Sequence, residues 1–173
     1  MAGFGEPGVE AVDAAGMTVG VVAARWHGEL TDHMVDRAVA AARACGARAV
    51  VARVAGSVEL PVVAQAMARR FDVVVALGVV VRGATAHFDY VCRSVTDGLT
   101  RVALDEGKPV AHGVLTVDTI EQARDRAGLP GSAEDKGWAA TVAALDAALA
   151  IRGLSAALAQ PVEAGLPPGD DLV

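Results

Sequence analysis

The sequence has 173 residues, a length that predicts one domain with enough chain to bury a hydrophobic core. Hydrophobic residues make up 53% and aromatic residues only 3%, so a disordered chain is excluded and the core must be filled mainly by Ala and Val. The 15 basic and 21 acidic residues give a formal charge of −6 without a long basic run, which argues against nucleic acid as a partner.

The sequence lacks clear signals for a membrane or for secretion. Its longest strongly apolar stretch, Val73–Val81, is far shorter than the roughly 20 residues that a membrane-spanning helix needs. The N-terminal residues do not show the charged-then-apolar pattern of a signal peptide, so we expect a soluble cytoplasmic protein. Cys45 and Cys92 fall on apolar faces of predicted helices, which predicts small buried side chains and neither a disulfide nor a metal site.

The first half of the chain alternates between valine-rich runs and amphipathic helical patterns. Residues 17–24 form the first predicted strand and residues 48–54 the second, because short apolar runs suit strands that are covered on both faces. Between them, a helical face begins at Thr31 or Asp32 and ends at Gly46. A second helix is predicted to begin near Pro61, a residue favoured in the first helical turn.

The second half continues the same alternation. Residues 71–81 form a third predicted strand, and the helix after it ends at Gly107. A weaker strand at residues 109–116 precedes Asp118 and Glu121, whose spacing predicts a capping box for a short helix that ends at Gly128. The last helix is predicted from about Asp135 to Arg152.

This order of elements predicts an α/β protein: a single-domain three-layer sandwich with a four-stranded parallel sheet flanked by helices, flavodoxin-like in type. We expect the domain to cover residues 16–154, with flexible segments at residues 1–15 and 155–173. Ligands of such sheets bind at the carboxyl ends of the strands. That rule selects four segments in advance, namely residues 25–28, 55–59, 81–87 and 112–114.

The turn after the third strand has the features of an anion site. Gly83, Ala84 and Thr85 lead into a helix, so free backbone N–H groups, the helix dipole and a hydroxyl converge there. The glycine spacing fits neither a P-loop nor a dinucleotide motif, and an ordinary helix start would also explain it. His87 follows at the helix N-terminus, where it could shuttle protons near neutral pH or serve only as a polar cap.

Each of the other candidate residues, taken alone, has both a functional and a structural interpretation. Trp26 follows a strand end and could stack on a planar ring or belong to a satellite core. Glu59 could bind ligand hydroxyls or only cap the second helix. Arg126 is predicted at the far end of the fourth helix, on the opposite edge of the sheet. To serve this cleft it would have to come from a neighbouring subunit. Lys136 is the first residue of the last helix, where the helix dipole does not favour a positive charge.

Four motifs in order resemble one enzyme family, 6,7-dimethyl-8-ribityllumazine synthase, and the likeness extends from about Val19 to Leu154. The motifs are GSVELP at 56–61, ALGVVVRGATAHFD at 76–89, GVLT at 113–116 and EDKG at 134–137. The WHG and LPGSA segments, at 26–28 and 129–133, are most similar to actinobacterial members.

The resemblance implies the condensation of 5-amino-6-ribitylamino-2,4-pyrimidinedione with 3,4-dihydroxy-2-butanone 4-phosphate in riboflavin biosynthesis, without a cofactor. It implies proton transfer by His87, phosphate binding by Arg126 of an adjacent subunit, and Lys136 facing the heterocycle. Further phosphate contacts would come from Gly83, Ala84 and Thr85. The other substrate contacts would come from Trp26 stacked on the pyrimidine ring and from Ser57, Val58, Glu59, Val79, Val80, Val81 and His112. The implied assembly is a homopentamer with shared sites, and the linker containing Pro130 resembles that of members without an outer shell.

Three residues depart from the family pattern. Ala84 stands where Gln or Glu is usual, His112 where Asn or Phe is common, and Ser57 where a small apolar residue is usual. These departures keep two other hypotheses open: an oligomeric scaffold that binds a lumazine or flavin-like ligand with little or no turnover, and a related condensing enzyme that acts on a different sugar phosphate or on two lumazines.

Overall fold

A computed structural model describes residues 9–159 of the chain. Its four strands are β1 (Thr18–Ala24), β2 (Arg48–Val54), β3 (Val73–Val81) and β4 (Val110–Val117). The helices are α1 (Gly28–Ala44), α2 (Leu60–Ala68), α3 (His87–Glu106), α4 (Ile120–Arg124) and α5 (Lys136–Ala159), with a short 3-10 helix (Ser57–Glu59) before α2. Residues 1–8 and 160–173, which include most of the predicted flexible segments, lie outside the described residues.

The four strands form one parallel sheet in the order β2-β1-β3-β4. Helices α1, α4 and α5 cover one face, and α2 and α3 cover the other. This arrangement confirms the predicted three-layer α/β sandwich. The strand order reverses direction between β1 and β3, which is where open parallel sheets leave a crevice for ligands.

The core is built from small and β-branched side chains, as the composition predicts. One buried cluster packs the sheet against α1 and α5, and a second packs it against α2 and α3. Cys45 is buried and Cys92 is half-buried, and neither forms a disulfide. Burial, followed by the nearby Asp89 carboxylate, raises the pKa of the Cys92 thiol. Cys45 is thus a core residue as predicted, whereas the prediction of a buried core position is wrong for Cys92.

The start of α1 differs from the prediction. The helix begins at Gly28, not at Thr31 or Asp32, because His27 adopts a left-handed conformation with φ 54° and its carbonyl accepts the N–H groups of Leu30 and Thr31. A tight turn at a non-glycine residue carries no clear sequence signal, which explains the error.

The short helix α4 also begins differently. The Thr119 hydroxyl accepts the N–H of Gln122 and is the N-cap, so the predicted pair of Asp118 and Glu121 is wrong by one residue. The helix ends at Arg124 and spans only about 7.5 Å at 1.5 Å per residue. Arg126, predicted at the far end of this helix, lies two residues beyond it, in the connection to α5.

Helix α5 runs past its predicted end at Arg152 to Ala159, because the residues after Gly153 are mostly good helix formers. Its segment from Lys136 to Ala156 has a mean hydropathy of 1.4 and is long enough to cross a membrane by length and composition alone. This segment is longer than Val73–Val81, the only apolar stretch from which the absence of a membrane helix was predicted. Val142, Leu145 and Ala148 are buried in the core against α1 and the sheet, a pattern typical of a core helix in a globular domain.

Candidate active site

A cleft of about 420 Å³ lies at the carboxyl ends of β1 and β3, where the strand order reverses. Its size falls within the range of small-molecule sites. Ten of the predicted site residues line it: Trp26, Ser57, Val58, Glu59, Val79, Val80, Val81, Gly83, Thr85 and His87. The structure thus brings together the residues that the sequence assigned to three separate strand ends.

Five further residues line the cleft without having been predicted as site residues: His27, Ala55, Gly56, Phe88 and Val91. The first three lie in segments that the strand-end rule had selected. Phe88 and Val91 lie within the first five residues of α3, and their helical spacing with the buried Val95 and Leu99 indicates one apolar face without showing that the start of the helix borders a cleft.

Trp26 presents a flat apolar surface to the cleft. Its side chain is 69% exposed, so the alternative of a satellite core is wrong. The indole lies beside Gly56, where an added Cβ would stand 3.8 Å from its Cδ1 and Nε1 atoms. An exposed ring held next to backbone in this way can stack on a planar ligand.

The 3-10 helix supplies polar groups to the same wall of the cleft. Glu59 Oε2 accepts the Gly56 N–H at 2.8 Å, so the carboxylate caps this helix while remaining exposed at the cleft. Ser57 is buried, and its hydroxyl lies over Gly78 of β3, where an added Cβ would approach Oγ to 2.8 Å. Glu59 therefore caps the 3-10 helix and not, as predicted, α2, because its side chain makes no cap hydrogen bond to α2, and it also lines the cleft.

The turn between β3 and α3 is the anion-binding candidate. Residues 83–86 are exposed, and the 20-residue helix α3 begins at His87. The Thr85 hydroxyl accepts the His87 N–H at 3.4 Å, and an added Cβ at Gly83 would meet only open space. Ala84 does not line the cleft, but it lies between two residues that do. Open backbone, a hydroxyl and a helix N-terminus suit a phosphate group.

The Arg82 side chain connects this turn to neighbouring elements. Its Nε donates to Asp118 at 2.7 Å, its Nη1 donates to Asp89 at 3.1 Å, and the guanidinium lies 4.2 Å from the centre of the Phe88 ring. The hydrogen bond to Asp118 raises the pKa of the arginine, with partial desolvation opposing it. The turn is thereby tied both to the end of β4 and to the first turn of α3.

Two predicted catalytic residues, Arg126 and Lys136, are not part of the cleft in this chain. Arg126 lies in the connection between α4 and α5, Lys136 is the first residue of α5, and Glu134 contacts both. The connection is held to α1 by His33, whose Nε2 lies 2.8 Å from the Gly128 carbonyl. One protomer therefore presents a cleft and, separately, a pair of cations.

His112 also lies away from the cleft, on the edge strand β4, where its Nε2 is 3.1 Å from the Thr96 hydroxyl. Part of the side chain is exposed, yet burial of the remainder lowers the pKa of His112, with a backbone hydrogen bond acting in the opposite direction. The lowered pKa favours the neutral form of the imidazole. It offers one N–H donor and one acceptor to whatever packs against this edge.

Between residues 9 and 159, no group of three His, Cys, Asp or Glu side chains is arranged to hold a metal ion. The cleft itself offers the flat indole of Trp26, the Glu59 carboxylate, the exposed turn before α3 and the His87 imidazole at the helix N-terminus. These groups can position an aromatic ring beside a phosphorylated molecule and move a proton between them.

Comparison with known proteins points in one direction. The family model for 6,7-dimethyl-8-ribityllumazine synthase matches residues 16–152. A protein of that name from Salinispora arenicola is 90% identical over 155 residues, which cover 90% of this chain and 94% of the relative. Proteins of the same name from Thermobifida fusca and Frankia casuarinae are 61% and 58% identical, over 92% and 91% of this chain and 94% and 99% of their own lengths.

Proposed function

The chain belongs to the 6,7-dimethyl-8-ribityllumazine synthase family, and we propose that it condenses 5-amino-6-ribitylamino-2,4-pyrimidinedione with 3,4-dihydroxy-2-butanone 4-phosphate. The products are 6,7-dimethyl-8-ribityllumazine, phosphate and water, so the protein is a transferase of riboflavin biosynthesis. The observation that carries this function is the likeness to synthases over almost the whole folded domain.

The roles of the cleft residues follow from their chemistry. The pyrimidine ring stacks on Trp26, and the ribityl hydroxyls bind along the 3-10 helix at Ser57, Val58 and Glu59. The ends of the ring contact the strand residues Val79, Val80 and Val81. The phosphate of the second substrate binds the turn at Gly83, Ala84 and Thr85, where backbone N–H groups supply most of the contacts and the missing side chain at Ala84 is of little consequence.

His87 is the proton-transfer residue in this proposal. The amine of the first substrate attacks the ketone of the second, forming a C=N bond and releasing water. A C–O bond then breaks to release phosphate, and the ribitylamino nitrogen attacks the carbonyl that results, which closes the second ring and releases a second water. Each step moves a proton, and His87 lies at the cleft beside the turn that binds the phosphate. Because both substrates are already reactive, holding them side by side supplies much of the acceleration.

Arg126, Lys136 and His112 complete the site from an adjacent subunit of a homopentamer in this proposal. Their separation from the cleft supports such sharing, because a protomer that used them itself would have them at its own cleft. Exposed apolar side chains support an assembly as well: Val50 and Val51 on the edge strand β2, and Tyr90 and Leu104 on α3. We place this enzyme in the cytoplasm with small molecules as its substrates.

The decisive experiment mixes the purified protein with both substrates and follows lumazine absorbance, with the product identified by mass. The proposal expects the mass of 6,7-dimethyl-8-ribityllumazine and one phosphate for each product molecule. A protein that binds lumazine in calorimetry without turnover would instead be a scaffold, the alternative favoured by Ala84 and His112. A product of another mass would indicate a different condensation.

A further inference from the structure

Arg126 and Lys136 are placed side by side by a short antiparallel bridge. Ala127 pairs with Asp135, the Lys136 N–H donates to the Arg126 carbonyl at 3.0 Å, and the Gly128 N–H donates to the Glu134 carbonyl at 3.0 Å. In an antiparallel bridge, the residue that precedes one partner in the chain lies opposite the residue that follows the other partner. Arg126 and Lys136 are therefore direct cross-strand neighbours on one side of the bridge.

Two cations in direct opposition repel each other, and Glu134 offsets that repulsion. Glu134 is two residues from Lys136, so it lies on the same side of the bridge. Its Oε1 is 3.4 Å from Arg126 Nε, and its Oε2 is 3.3 Å from Lys136 Nζ. The Glu134 side chain is only 16% exposed, so its charge is less screened by water than that of a surface carboxylate.

The contact with Lys136 is an ion pair without hydrogen-bond geometry. Oε2 of Glu134 is buried and accepts no hydrogen bond from the residues that the structure describes. A buried carboxylate oxygen without a full set of donors is costly unless a nearby charge compensates it. The position of the Lys136 ammonium is therefore coupled to Glu134.

Arg126 is fixed at two of its nitrogens. Nε faces Glu134, and Nη1 donates to the Gln122 carbonyl at 2.9 Å. Within residues 9–159 no acceptor is bound to Nη2, so this end of the guanidinium can donate to an anion. The carboxylate orients the arginine without using all of its donors.

We propose that Glu134 is a positioning residue that sets the orientation of Arg126 and Lys136 toward the substrates. This inference rests on the proposed function, in which the two cations reach the cleft of an adjacent subunit. Glu134 does not touch substrate in this role. It holds two like charges at a fixed separation, so that a phosphorylated ligand meets an ordered pair rather than two long flexible side chains.

The test compares Glu134→Gln, Glu134→Ala and Glu134→Asp with the wild type as assembled protein. We expect the first two to raise the KM of the phosphorylated substrate, and the inhibition constant of inorganic phosphate, about tenfold, a size typical of a misplaced binding group. Glu134→Asp keeps the charge and should recover part of the loss. Glu106→Gln is the matched control, because Glu106 is 18% exposed, pairs with Arg69 and lies outside the cleft, so both constants should stay at the wild-type level.

Two results would overturn the inference. Phosphate binding that is unchanged or tighter in Glu134→Gln would mean that the carboxylate only weakens the local positive charge. Lower thermal stability with unchanged KM and inhibition constant would mean a purely structural ion pair. Failure of the wild type to form lumazine would refute the proposed function instead, and phosphate binding measured by calorimetry would still report on Glu134.

Discussion

The Thr85 hydroxyl accepts the backbone N–H of His87 at 3.4 Å. One short turn thus links the hydroxyl proposed to bind phosphate with the imidazole proposed to transfer protons. The same hydroxyl satisfies an N–H at the start of α3, a group that would otherwise lack a partner within the helix. The two residues proposed for phosphate binding and for proton transfer are therefore joined by one backbone hydrogen bond.

Replacing Thr85 should affect binding more than chemistry. Thr85→Ala removes a phosphate contact and an N–H acceptor at the start of α3, so we expect the KM of the phosphorylated substrate to rise about tenfold, the value of one lost hydrogen bond to a charged group. Thr85→Ser keeps the hydroxyl and should remain near the wild type. Steady-state kinetics with each substrate varied in turn measures both effects. Equal KM values for the Ala and Ser variants would contradict a role for the hydroxyl.

Replacing His87 should affect the chemical step more than substrate binding. We expect His87→Ala to lower kcat about 100-fold or more with a smaller change in KM, because general acid–base catalysis contributes on that scale. Thermal unfolding should remain close to that of the wild type, since the side chain is exposed at the helix start. An unchanged kcat would remove His87 from the proton-transfer role.

Mixed assemblies test whether sites are shared. Arg126→Ala and His87→Ala proteins should each be weakly active, whereas assemblies formed by co-expression of the two chains should recover activity, because some sites then combine an intact His87 with an intact Arg126. Arg124→Ala is the control for a lost arginine nearby, since Arg124 pairs with Glu29 of its own chain. Mass spectrometry verifies that the assemblies are mixed. If verified mixed assemblies have only the average activity of the parents, the sites are not shared.

Two glycines of α5 should respond in opposite directions to the same substitution. A Cβ at Gly137 would press against the Met34 carbonyl and lie 3.0 Å from Arg37 Cβ, so Gly137→Ala should lower the free energy of unfolding by about 1–3 kcal/mol through overpacking of the contact between α1 and α5. Gly153 has open space around it, and Gly153→Ala should raise stability by about 0.5–1 kcal/mol through helix propensity. Denaturant titration of both variants gives the comparison. A stabilising Gly137→Ala would show that α1 can move away at little cost.

Asp72 should make stability depend on acid pH. Partial burial raises the pKa of this carboxyl, but hydrogen bonds from the Thr18 hydroxyl and N–H, with the Arg152 guanidinium, lower it below its ordinary value of 3.8. A lowered folded-state pKa gives stability that is fully present well above pH 3.8 and is lost as the pH falls through the folded value.

The difference in unfolding free energy between wild type and Asp72→Asn should therefore be about 1 kcal/mol at neutral pH, after allowance for solvent screening. It should shrink when unfolding is measured below pH 3.8. Asp146→Asn, an exposed site on α5, should show no such trend. A difference between wild type and Asp72→Asn that stays constant down to pH 2 would contradict the assignment.

The sequence by itself determined the order of strands and helices along the chain and the three-layer class, and the strand-end rule together with the family resemblance identified ten residues of the cleft. Valine runs of strand length identify parallel strands, and the carboxyl ends of neighbouring strands must share one edge, so Trp26, Glu59 and Thr85 could be grouped without coordinates. Local periodicity and chain direction are enough for that inference, because both are properties of short segments.

Only the tertiary structure decided the rest. The left-handed turn at His27, the cap at Thr119 and the bridge that sets Arg126 against Lys136 depend on particular hydrogen bonds. Glu134 belongs to the EDKG motif, but nothing local marked it as the partner of Arg126, because that contact depends on the chain folding back to bring residue 134 to residue 126. Such contacts depend on the length of each segment and on the position of each turn. Tertiary packing sets both, and the pattern of residues within a short segment does not.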